Sequence, residues 1–249
     1  MITLILYNSQ GYISYALADD TRIVHTTSLY SPKNSTEIYM PHIEHACSTR
    51  GISPCAIGRI LCTVGPTSFT ATRLILSTAL GIALPRSLPI ASLTTLHSLA
   101  LNAPIETDSL WIVLQAQKHA FYTQCFHARY NQNSLEIHSA NEITLNTYEN
   151  LCTMLSSSPH TYLIADEYVH ELYSKNPLPS CTLLPLHYAI PSPFALYGYS
   201  QKAHYSTDVP EACYIRTTDA EQNIMDIAQK LGYSPQEIHD IYSKNIAET

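Results

Sequence analysis

The sequence predicts an α/β protein of two halves, each a mixed sheet covered by helices, with a helical tail behind them. Three observations carry that prediction. Short strand-like runs alternate with longer stretches of helical period. One order of elements (three strands, then helix, strand, helix, strand, helix) occurs twice. Beyond Arg216 the periodicity is helical alone. Alternation of this kind calls for sheets flanked by helices. Residues 1–105 are therefore expected to form one lobe, 106–216 a second, and 217–249 a tail.

In the first half, Ile2–Tyr7, Tyr12–Leu17 and Arg22–Thr27 read as strands joined by the turn-forming stretches NSQG and ADD. A helix follows, with Asn34 or Ser35 as cap, Glu37 in its first turn and Gly51 past its end. Pro41 falls inside this segment and either kinks it or marks its true start. Arg59–Val64 reads as a strand, Ser68–Leu84 as a long apolar helix, Leu88–Ala91 as a strand and Ser92–Leu101 as a helix.

In the second half, Ser109–Leu114, Ala120–Tyr130 and Leu135–Ser139 read as strands and Glu142–Leu155 as a helix. Thr161–Ala165 is then a strand, Asp166–Tyr173 a helix, Ser180–Leu184 a strand and Pro193–His204 a helix. In the tail, Ile224, Ile227, Ala228 and Leu231 share one helical face, and Gly232 ends that helix. Ser234-Pro235 opens another, with Ile238, Ile241 and Tyr242 on one side. Such a pair of helices either docks a partner or packs on its own domain.

Composition narrows the function. Apolar residues make up 45% and the net charge is −7, as in an ordinary globular protein. No run approaches the ~20 apolar residues that cross a bilayer, and MITLILYNSQ lacks the basic start of a signal peptide. Seven cysteines without a C-x-x-C pair suit a reducing compartment, so a cytoplasmic protein without a membrane partner is expected. Residues 1–105 carry six basic and four acidic side chains, the remainder seven and sixteen. No basic stripe exists to neutralise a nucleic-acid backbone, so direct RNA or DNA binding is not expected.

Thr63–Leu84, TVGPTSFTATRLILSTALGIAL, has the strand, turn and helix order of a phosphate cradle. Such loops depend on glycine for close backbone approach and positive φ. The whole chain holds only seven glycines. Gly65 therefore reads as a structural residue with a special backbone angle, and Ser68 as an N-cap. No metal site is expected. His42 and His45 lie one helical turn apart, but no third ligand accompanies them. No catalytic elbow or activated cysteine is evident.

The cluster Gly65-Pro66-Thr67-Ser68-Phe69-Thr70 with Arg73, the run Ala79–Leu84, Leu88–Leu96 and the closing Pro210–Arg216 resemble the TsaB family. That family supplies the small actin-like partner in bacterial tRNA threonylcarbamoyladenosine synthesis. The resemblance implies two actin-like lobes over residues 1–216. Some family features differ. Tyr7-Asn8-Ser9 stands where an aspartate-threonine-serine turn is usual, Thr67 and Ala71 replace glycines, and Gln115-Ala116-Gln117 replaces aspartate-alanine-arginine. Without the acid at the first strand's end, neither a nucleotide cofactor nor catalytic residues are expected.

The resemblance further implies a scaffold subunit that binds a TsaD-like catalytic subunit, which modifies adenosine 37 of tRNA. A TsaE-like ATPase would dock on that pair, and tRNA would be met only through the complex. In isolation the chain would pair with a second copy. Helix Phe69–Leu84 is apolar nearly all round, so more than one of its sides must be covered. In the family this helix and the preceding one form the partner surface. The expected interface residues are Ile38, His42, His45, Arg73, Leu76, Ala79, Leu80 and Ala83. Two alternatives stay open: an actin-fold kinase or transferase binding ATP in its own cleft, and a homodimeric interaction protein without a role in tRNA modification.

Overall fold

Alternating burial along the first strand sets the layering of the N-terminal sheet. Leu4 and Leu6 point to one face, and Ile5 and Tyr7 to the other, all within 2% of full burial. Both faces of this strand therefore need a cover. The computed structural model describes residues 1–9, 11–30, 35–131, 134–156, 160–177 and 180–215. The expected cap Asn34 and the tail 217–249 lie outside the described residues.

The first sheet contains β1 (Ile2–Ser9), β2 (Tyr12–Ala18), β3 (Ile23–Tyr30), β4 (Ile57–Thr63) and β5 (Ile90–Leu93), in the order β3-β2-β1-β4-β5. The first three form an antiparallel meander, and β4 and β5 run parallel to β1 and β4 respectively. The second sheet contains β6 (Thr107–Gln117), β7 (Ala120–Asn131), β8 (Ser134–Ser139), β10 (Thr161–Ala165) and β11 (Cys181–Leu183) on one path, with β9 (Thr144–Thr147) paired to β7 off it. Read from its other edge, β8-β7-β6-β10-β11, this path repeats the order of the first sheet: third, second, first, then the next two strands of each half on the path. The duplicated element order of the sequence is thus a duplicated sheet topology.

Helices α1 (Ser35–Thr49) and α2 (Phe69–Ala83) cover the Leu4/Leu6 face. Pro41 lies within α1, which runs through it as one helix. Helices α4 (Tyr148–Ser156) and α5 (Glu167–Lys175) cover the corresponding face of the second sheet, burying Leu151, Leu155 and Val169 on Trp111, Val113 and Phe121. One sequence expectation needs correction here. The helix expected over Glu142–Leu155 begins only at Tyr148, because Thr144–Thr147 forms β9, which pairs with β7. Thr123 and Asn146 bond at 2.7 Å across that pair, and β-branched residues favour the pleated surface over a helical turn.

The faces between the two sheets are covered by exchange. Helix α3 (Thr95–Ala100), encoded in the first half, buries Leu96, Leu99 and Ala100 against Leu110, Ile112, Phe126 and Ala128 of the second sheet. Helix α6 (Pro193–Ser200), encoded in the second half, buries Leu196 against Ile5, Tyr7, Ala16 and Leu61 of the first. Each fully buried leucine contributes roughly 1.5–3 kcal/mol, so each helix is anchored to the sheet it visits.

The two crossings are tied together by one side chain. Asn102, just past α3, donates to Tyr188 O at 2.9 Å and Ile190 O at 2.8 Å and accepts from Ser192 N at 3.0 Å. These three backbone groups precede α6. His97 of α3 completes the junction, its ring edge-on to Phe126 at 5.6 Å and to Tyr199 of α6 at 5.5 Å.

Two outcomes follow from this junction. Asn102→Ala leaves three backbone groups of the second crossing without their partner and lowers stability by about 1–3 kcal/mol, measured by urea unfolding. Burial, with His138 nearby, holds the His97 imidazolium below the ordinary histidine range. Its folded pKa is depressed, so the stability it contributes is complete above about pH 6.5 and is lost as pH falls through the folded value. His25 and His170 are shifted the same way, chiefly by burial. His97→Phe should therefore reduce the slope of stability against pH below neutrality without abolishing it.

Candidate functional site

The Gly65 turn is the meeting point of four segments. Val64 N donates to Leu93 O at 3.0 Å, Val64 O accepts from Cys213 N at 2.8 Å, and Gly65 O accepts from Thr95 N at 2.7 Å. Gly65 has φ +93°, and a Cβ there would meet Thr72 Oγ1 at 3.0 Å and Cys213 O at 3.1 Å. The Gly65–Pro66 peptide is cis. Ser68 accepts from Ala71 N at 3.3 Å as the α2 N-cap, and the Thr67 and Thr72 hydroxyls meet at 3.0 Å. The turn's donors and acceptors thus bind the chain to itself, as the glycine angle and the cap position had suggested.

At the end of β1, where a phosphate-binding fold places an acid, Tyr7 is 2% exposed and packed with Ile5, Ala16, Leu61 and Leu93. Burial pushes its phenol above the ordinary range. In the second sheet the corner after β10, which corresponds to the Gly65 turn after β4, holds Asp166. Its carboxylate accepts from Gln115 N at 2.5 Å and Val169 N at 3.0 Å, and burial raises its pKa. It caps α5 and pins the end of β6 to β10. A buried tyrosine and a carboxylate already engaged by two backbone N–H groups do not fit a metal-bound nucleotide phosphate, which needs a free acid. Among the described residues, no three His, Cys, Asp or Glu side chains converge as metal ligands.

The α1–α2 surface is where the expected interface residues fall, and the structure divides them. Leu76, Ala79 and Ala83 are 9%, 0% and 2% exposed and belong to the core with Tyr39, Ile43 and Ala46. They are corrected from surface to core. The row 75, 79, 83 repeats every four residues and looks down on the sheet. Ile38 and Leu80 are half-buried against that core, and His42 is half-buried with its carbonyl accepting from Tyr15 Oη at 2.7 Å. His45 and Arg73 are exposed.

The free face of α2 is instead its small and polar stripe, Thr70, Arg73, Ser77 and Gly81. With Met40 of α1 and Ile82 it lines an open groove of about 720 Å³. Arg73 stands at one end with its guanidinium 5.8 Å above the Phe69 ring. Of the eight expected residues, Arg73 alone lines this groove. The spacing 70, 73, 77, 81 marks one helical face and was the signal for the rest.

Two lobes of one strand order that exchange covering helices define an actin-like fold. A profile of the family described as TsaD, tRNA N6-adenosine threonylcarbamoyltransferase, matches residues 30–237, and the chain belongs to that family. Its fold is that of a TsaB-like (YeaZ-like) member. YeaZ from Pseudomonas aeruginosa is similar at TM-score 0.67 and 17% identity over 86% of this chain and 99% of that one. Another structure, an uncharacterized protein from the same organism with similarity to peptidase YeaZ, is similar at TM-score 0.66 and 18% identity, with the same coverage of both chains. No curated protein sequence matches the chain. No helix among the described residues is long and apolar enough to cross a membrane.

Two glycines give opposite expectations. Gly65→Ala forces a side chain into positive φ and into a crowded site, lowering stability by about 1–3 kcal/mol. Gly81, exposed on the groove with nothing within 4 Å of a Cβ, becomes more stable by roughly 0.5–1 kcal/mol as Ala. Thermal and urea unfolding of the two variants measures both.

Proposed function

We propose that this chain is a non-catalytic scaffold subunit in tRNA threonylcarbamoyladenosine synthesis, binding a TsaD-like catalytic subunit through its α1–α2 surface. The observation that carries this reading is the open groove along α2. An arginine over an aromatic ring, an exposed methionine and a floor of Ser77 and Gly81 offer close approach to a partner helix. Family membership supports the link to tRNA modification. The buried Tyr7 and the engaged Asp166 support a chain that does not run the chemistry itself.

On this reading the scaffold acts by differential binding. It favours one arrangement of the catalytic subunit's lobes and so raises the population competent for threonylcarbamoyl transfer. The acidic excess agrees with leaving the tRNA phosphates to other subunits. A small TsaE-like ATPase would join the pair afterwards.

The test is co-purification with the TsaD-like protein of the same organism. The full chain should form a stoichiometric complex. Gly81→Arg, which fills the groove, and Arg73→Glu, which reverses its charge, should each weaken the complex at least about tenfold while the isolated chain stays folded. Ala79→Arg is unsuitable, because it buries a cation in the core and tests folding instead. An unchanged complex in both surface variants would place the interface elsewhere. Heat on titration with ATP and magnesium would favour a kinase or transferase.

A further inference from the structure

The last residues of the compact body Met1–Cys213 run beside the mouth of the α2 groove. Cys213 N donates to Val64 O at 2.8 Å, and Cys213 O lies 3.1 Å from the position a Cβ on Gly65 would take. Thr72 Oγ1, in the first turn of α2, stands 3.0 Å from the same position. Ala212 and Cys213 also pack on the core under α1 and α2, which fixes this point of the chain. Thr70 and Arg73, which line the groove, flank Thr72 along the helix. The chain beyond Cys213 therefore starts at the Arg73 end of the groove.

We propose that residues 217–249 are a second docking arm for the partner seated in that groove, their apolar helical faces meeting an apolar surface of the catalytic subunit rimmed by basic side chains. The proposal rests on the reading of the groove as that subunit's seat. The sequence gives the arm two apolar faces of helical spacing: Ile224, Ile227, Ala228 and Leu231, then Ile238, Ile241 and Tyr242. Faces of this kind are stable only when covered. The arm carries six acidic and two basic side chains, so its complement is basic. The chain itself offers little of that kind. Residues 106–216 carry ten acidic and five basic side chains. In the first half, Arg59 is engaged by Thr3, Gln201 and the Tyr205 ring, and Arg86 by the carbonyls of Pro54 and Cys55. A subunit left to meet the tRNA phosphates has to carry basic surface, and that surface complements the arm. Tethering makes a weak contact count. Attachment at the groove mouth holds the arm at an effective concentration of about 1 mM around a seated partner, so a contact with a Kd of ~0.1 mM tightens the complex about tenfold.

Calorimetric titration of the full chain against the TsaD-like protein of the same organism tests the arm. A double variant, Ile227→Asp with Leu231→Asp, should bind at least about tenfold more weakly than the wild type. So should a triple variant, Asp219→Lys with Glu221→Lys and Asp226→Lys. Both keep the whole chain and the groove, and the thermal unfolding of the two lobes should be unchanged. A photo-crosslinker, p-benzoylphenylalanine in place of Ile224, separates docking on the partner from a purely structural role: irradiating the complex should join the two chains. Variants that bind as the wild type does, variants that bind more tightly, or a crosslink confined to this chain would each overturn the proposal. Those results leave the groove reading standing if Gly81→Arg still weakens the complex. Absence of any complex with the wild-type chain would remove the groove reading, and the arm with it.

Discussion

The arrangement of the two lobes depends on the Asn102 carboxamide. The chain crosses between the sheets once after α3 and once before α6, and Asn102 holds the second crossing from the first through three hydrogen bonds. Each crossing delivers a helix to the other half's sheet. Without that exchange, the inward face of β1, with Ile5 and Tyr7, and the Phe126 face of β7 would lack their apolar cover. His97 adds an aromatic contact at the same place, touching Phe126 on one side and Tyr199 on the other. The junction between the lobes is thus both hydrogen-bonded and packed.

The Gly65 turn shows how a phosphate-loop layout can serve structure alone. Its carbonyls accept from Thr95 and Cys213, its glycine is required by a close backbone approach, and its helix is capped by its own Ser68. At the matching corner of the second sheet, Asp166 likewise gives both carboxylate oxygens to backbone N–H groups. In both places polar groups that could serve a ligand are engaged in joining strand ends to helices. The open groove of α1 and α2 lies away from these corners.

Much of this was legible in the sequence. Strand-like runs located β1, β2, β4, β6, β7 and β10, the cap Ser68 located the start of α2, and the repeated element order implied two like sheets. Thr144–Thr147 was misassigned because four residues are too few for alternation to outweigh the helical pattern that follows. The site was legible in part. Arg73 was expected at the surface and lines the groove, whereas Leu76, Ala79 and Ala83 were expected there and are buried. A helix apolar nearly all round does not reveal from its own sequence which row faces the sheet.

By itself the sequence determined the local elements, the duplication, and the need for glycine at position 65, because these follow from hydrophobic period and backbone sterics within a few neighbouring residues. Only the tertiary structure decided that α3 and α6 change sheets, that Asn102 joins the crossings, and that Thr70, Arg73, Ser77 and Gly81 line an open groove. These depend on residues far apart in the chain, Asn102 with Ser192 and Ile5 with Leu196 among them, and no local pattern encodes which of them will meet.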